Sequence, residues 1–159
     1  MKNFLKVPPA PRLSRSTAWA MAAGLALASA ALAATDTADV TNTLPAELEA
    51  GQSTEYALTR CAGFHFALIS WAGASRLGAE AVDASKQNIF NLIEGAVQIR
   101  ANAGDAQATA NVVTKVHEFS VSYLNAFTEA AATEGATLAG NALIGADGET
   151  CGVFIEELQ

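Results

Sequence analysis

Cys61 and Cys151 stand about 90 residues apart and are the only cysteines in a chain of 159 residues. Whether they pair decides which topologies are open to the chain, and pairing depends on the compartment the chain reaches. The first 33 residues answer that point. Lys2, Lys6, Arg12 and Arg15 form a positive leader, Trp19 to Ala31 is an apolar, Ala-rich stretch, and Ala31-Leu32-Ala33 is a small-residue cleavage pattern. The stretch is short and Ala-rich for a spanning helix, and no cysteine sits at the cut to take a lipid anchor. Residues 1–33 therefore read as a cleaved signal peptide, and the mature protein as periplasmic or secreted. Two cysteines in an exported chain read as a disulfide, Cys61–Cys151.

Removing the leader takes four of nine Lys and Arg and none of sixteen Asp and Glu, which leaves a formal charge of 5 − 16 = −11. Nucleic acid and anionic lipid surfaces repel such a chain, whereas a cationic protein is steered toward it; the plainer reading is that the acidity serves solubility. Residues 34–54 are polar and Thr-rich, with Pro45 and Gly51, and read as a mobile or loosely docked N-terminal arm. Residues 55–159 are long enough for one domain with a single core.

Helical periodicity runs through that domain. A first helix is expected from near Ser53 to about Leu77, with Cys61, Phe64, Leu68 and Trp71 on one face and apolar residues around much of the rest, so it belongs at the centre of the fold. A second is expected from Asp83 or Ser85 to about Ala101, with Ile89, Leu92, Ile93, Ala96 and Val97 inward. Gly104-Asp105 marks a stop and a new start. The third helix turns Val112, Val116, Phe119, Tyr123, Phe127 and Ala130 inward and Asn111, Lys115, Glu118, Ser122 and Glu129 outward. No window alternates as a strand does. An all-α domain follows.

The disulfide then fixes the fourth helix. In an up-down-up-down bundle the first and fourth helices are antiparallel, so a cysteine early in one meets a cysteine late in the other. Cys151 is late in its helix only if that helix begins near Leu138 to Asn141, despite Gly145, Gly148 and Gly152; the alternative is a short helix from Gly148. The longer helix buries Ile144, Cys151, Phe154, Ile155 and Leu158, and its three glycines form a small-residue groove suited to close helix approach. The expected fold is an all-α, four-helix, up-down-up-down bundle closed by one disulfide and preceded by a signal peptide and a short flexible arm.

Catalytic signatures are missing: there is no HExxH, GxSxG, P-loop or CxxC. Cys61 with His65 one turn later would serve as a thiol and base only if Cys61 were free. His65 and His117, the only histidines, fall on the first and third helices. The alternative function built on them is a haem or metal carrier; the plainer reading makes His65 a partly buried core residue bonded to a backbone carbonyl and His117 a flank residue. No cofactor is assigned. The function read from the sequence is a non-catalytic, inhibitor-like or accessory module that binds a protein, with a cationic surface on the partner, without nucleic acid and without membrane embedding.

Overall fold

The computed structural model of the protein describes residues 38, 40–133 and 137–159. The expected signal peptide, 1–33, lies outside the described residues, as does the start of the expected arm. Among the described residues there are helices and no strand: α1 (Leu44–Glu49), α2 (Thr54–Leu77), α3 (Ala79–Asn102), α4 (Ala108–Ala132) and α5 (Ala142–Glu157), with a 3-10 turn, Leu138–Gly140, ahead of α5. Of the four long helices, α2, α3 and α4 are those that the periodicity predicts, and α5 is the one that the disulfide argument predicts.

Local chemistry sets their ends. Ser53 Oγ accepts from the Tyr56 amide and opens α2. Gly73 (φ 62°) kinks α2, and Gly78 (φ 84°) ends it in a conformation that costs a residue with a Cβ about 1 kcal/mol or more. The chain reverses there and α3 starts at once at Ala79, earlier than the expected Asp83 or Ser85; Ser85 is buried and caps nothing. Asp105 does act as a start signal. Its Oδ1 accepts from the Gln107 amide and its carbonyl from the Ala108 amide, which opens α4. Asn141 Oδ1 accepts from the amides of Leu143 and Ile144, so α5 begins where the disulfide argument places it and not at Gly148.

Three pairs with one offset fix the direction of α4 against α2: Tyr56 with Phe119, Arg60 with Tyr123, Phe64 with Phe127. Both members advance by four residues each time, so the helices are parallel. Glu55 pairs with Arg100, so α3 is antiparallel to α2. Cys61 bonds Cys151 and Phe64 lies against Gly148, so α5 is antiparallel to α2 as well. The bundle is up-down-up-down.

In a square bundle α2 and α4 would be diagonal, yet here they touch. A Cβ on Gly63 would lie 2.5 Å from Phe119 Cβ and 3.0 Å from the Val116 carbonyl oxygen, so only glycine admits this approach. The collapse along the diagonal encloses α2, and every residue from Ala57 to Phe64 is buried, as expected of a central helix. The inward stripe of α4 is buried in full, with one correction to its outer face: Glu118 is buried, beside Lys115 at 2.6 Å. On α5, Ile144 and Cys151 are buried, Phe154 and Ile155 half-buried, and Leu158 exposed. The expected glycine groove does not form a helix contact along its length. Gly148 meets Phe64, Gly145 meets the Ala139 carbonyl, and Gly152 faces open space.

The described part of the arm is bound more closely than a loose tether. Val40 and Leu44 are buried in the core cluster, and α1 packs beside α5.

Candidate functional site

The fully buried Arg60 stands in the middle of that enclosed stretch of α2, with no apolar way to satisfy five N–H donors. Its partners come from four elements. Nη2 donates to Asp147 Oδ2 on α5 at 2.5 Å and to the Asn42 carbonyl at 2.6 Å; Nε donates to Tyr123 Oη on α4 at 2.7 Å; Nη1 donates to Tyr56 Oη at 3.2 Å. Tyr123 donates its own proton to Asp147 Oδ2, and the other oxygen of Asp147 accepts from the Leu44 amide at 2.5 Å. Arg60, Asp147 and Tyr123 are each 0% exposed.

Burial works against the charge of Arg60, but Tyr123 and Asp147 outweigh it and hold the guanidinium above its ordinary value. Burial pushes the Tyr123 phenol up, opposed by Arg60 and reinforced by Asp147, so the phenol keeps its proton and donates it. The cluster is thus a closed circuit of donors and acceptors. Sequence reading places Tyr123 inward and overlooks the other two. The signal lay in position: Arg60 directly precedes Cys61 in a helix apolar on nearly all sides, and Asp147 falls between Ile144 and Cys151 on the buried stripe of α5.

The disulfide itself is present, with Cα atoms of Cys61 and Cys151 5.3 Å apart. That overturns Cys61 as a nucleophile served by His65, because its sulfur is bonded to Cys151. His65 is half-buried, and burial pushes its imidazole pKa below the ordinary value of 6.5. Its Nδ1 is buried without a hydrogen-bond partner among the described residues, so the expected bond from that nitrogen to a carbonyl is not made. His117 is exposed. On the α2–α4 register His65 lies level with Thr128, about eleven residues beyond His117, an axial gap of about 16 Å. Two imidazoles on one ion need nitrogens about 4 Å apart, so the structure does not bring these two histidines to a shared metal or haem iron. Among the described residues no group of three or more His, Cys, Asp or Glu side chains is placed to hold a metal.

A cleft of about 400 Å³ opens beside this cluster, walled by Tyr56 and Phe119 and edged by Glu55, Arg100 and Lys115. Its cations are already matched. Arg100 meets Glu55 at 3.2 Å and Asp105 at 2.7 Å, and Lys115 meets Glu118. Bonds from Arg100, Asn111 and the Gln107 amide hold the Asp105 carboxyl down at about 2. The cleft offers an amphipathic surface without a net positive field.

Comparison with protein-family models, curated proteins and solved structures finds no match for this chain.

Proposed function

We propose that this chain is an exported, non-catalytic helical module that acts by binding another protein, as an inhibitor-like or accessory component of the cell envelope. The observation that carries the reading is the fate of its cations. Outside the leader there are five Lys and Arg, and all five are engaged. Arg60, Lys86, Arg100 and Lys115 are in ion pairs, and Arg76 lies over the Trp71 ring at 4.7 Å. Glu80, Glu94, Glu129, Glu149, Glu156 and Glu157 are exposed and in no ion pair with a described residue. The field of such a surface is that of unmatched carboxylates, which steers a cationic partner.

Two further observations support this reading. The side chains with the strongest chemistry, Arg60, Asp147 and Tyr123, are sealed and satisfied by the chain itself, out of reach of a substrate. A disulfide suits an oxidising compartment, and no described helix is long and apolar enough to cross a membrane.

The test is a native mass spectrum of the protein purified after export without reductant. The binding-module reading expects the mass of residues 34 or 35 to 159 less two hydrogens, with no non-protein group attached. Added mass matching haem or a metal, lost in His65→Ala or His117→Ala, would replace it with a cofactor carrier.

A further inference from the structure

We infer that the groove between α2, α4 and α5 is a peptide-binding site, and that residue 38 and residues 40–44 occupy it in cis. The inference rests on the reading of the chain as a protein-binding module and names what the module recognises: a short peptide segment with aliphatic side chains four residues apart.

Residue 38 and residues 40–44 are held through their backbone by side chains from three helices, α4, α2 and α5. The bundle reaches for the segment's backbone. Ser122 Oγ donates to the Ala38 carbonyl at 2.6 Å, Arg60 Nη2 donates to the Asn42 carbonyl at 2.6 Å, and Asp147 Oδ1 accepts from the Leu44 amide at 2.5 Å. Carbonyls and amides are common to all peptides, so these bonds set register and polarity without reading sequence. Selectivity comes from two sockets, which bury Val40 to 7% and Leu44 to 0% exposure.

The groove's polar groups are built for an occupant. A buried ion pair adds little to stability compared with apolar residues of the same volume, so the bundle alone has no need of Arg60 and Asp147. Each nevertheless bonds the segment as well: Arg60 Nη2 donates to the Asn42 carbonyl and to Asp147 Oδ2 together, and Asp147 turns its other oxygen, Oδ1, to the Leu44 amide. With the segment absent, Arg60 Nη2 and Asp147 Oδ1 would each lose a partner, and a carbonyl and an amide two residues apart would restore both. The helix that follows the segment depends on the same contact. Thr43 makes no side-chain cap at α1, and Asp147 supplies that cap from α5. Only the exposed link Gly51–Gln52–Ser53 ties the occupant to α2, and this tether makes docking intramolecular, with the high effective concentration that favours the cis occupant.

The experiment uses the full mature chain with a protease site between Gly51 and Gln52, cut after purification with the disulfide closed. The cleaved segment is exchanged in mild urea against a fluorescent peptide spanning residues 36–50. The expected result is saturable binding of the peptide to a bundle that keeps its helical circular dichroism. N-methylation of the peptide at Leu44, which removes the amide hydrogen, should weaken binding at least about tenfold. Asn42→Ala in the peptide should change it less than about threefold, since the carbonyl is what Arg60 takes. A folded, cut chain that binds no peptide, or binds the N-methylated peptide equally well, overturns the inference. So does a bundle that unfolds whenever the segment leaves, because residues 40–44 are then core and not ligand. None of these outcomes alters the mass expected above, so the two readings fail separately.

Discussion

Gly63 is the residue on which the packing of the two most buried helices turns. An added methyl there meets Phe119 and the Val116 carbonyl, and neither is the free end of a flexible side chain. Gly63→Ala should therefore destabilise the protein by about 1 to 3 kcal/mol despite raising helix propensity, as read from urea unfolding followed by Trp71 fluorescence. Two residues along, His65 makes an opposite kind of statement, about protons. Its folded pKa lies below the ordinary 6.5, so in the window below 6.5 the unfolded chain binds the proton more readily. Stability from this residue is present above that window and declines as pH falls through it. The urea midpoint should drop between about pH 7.5 and about pH 5.5 in the wild type, and drop less in His65→Leu. What the sequence left illegible at this scale were Arg60 and Asp147, because periodicity treats a charged residue as a mark of the outer face. For these two a pairing partner in another helix, invisible to a local pattern, reverses the sign of the inference; Glu118 is buried too, but its partner Lys115 lies three residues back on the same helix.

Among the elements, the long helices were legible because each combines an apolar stripe with a chemical start or stop: Ser53, Gly104-Asp105 and Asn141 all act as their residue types predict. The start of α3 was not, because Ala79-Glu80-Ala81 offers no capping side chain and the reversal is made by Gly78 alone. Nor was α1. Six residues with Pro45 in the first turn cannot persist as an isolated helix, and the cap comes from a residue about a hundred positions away. That dependence can be measured. Asp147→Ala leaves the Arg60 guanidinium buried without its counter-ion and should cost about 3 to 5 kcal/mol. Replacing both partners with apolar residues, Arg60→Met with Asp147→Leu, should recover most of that loss in urea unfolding. If the double variant is no more stable than Asp147→Ala, the cost lies in lost packing and not in an unpaired charge.

For the molecule as a whole, the extent of the last helix was legible from one covalent constraint. Within an up-down-up-down order, the start of α5 followed from requiring Cys61 and Cys151 to meet, where propensity alone would have stopped at the glycines. The bridge closes a loop of 90 residues, and on the chain-entropy estimate its removal should cost roughly 4 to 5 kcal/mol. Cys61→Ala with Cys151→Ala should lower the unfolding free energy extrapolated from urea by that amount without altering the helical spectrum at low denaturant. The packing of residues 40–44 was not legible, because a Thr-rich segment with one Pro carries no periodicity, and its burial comes from Val40 and Leu44 entering sockets that only the assembled bundle provides.

The central claim is that this segment is held as a ligand is held: docked, specifically bonded, and separable from the fold. Residue-resolved amide hydrogen exchange of the unreduced mature protein tests it at Leu44, whose amide bonds Asp147, against Phe119 and Tyr123 in α4. The account predicts clear protection at Leu44 that is lost through an opening of lower free energy than the one exposing the α4 amides. An unprotected Leu44 amide, or one that exchanges only with global unfolding, would contradict it.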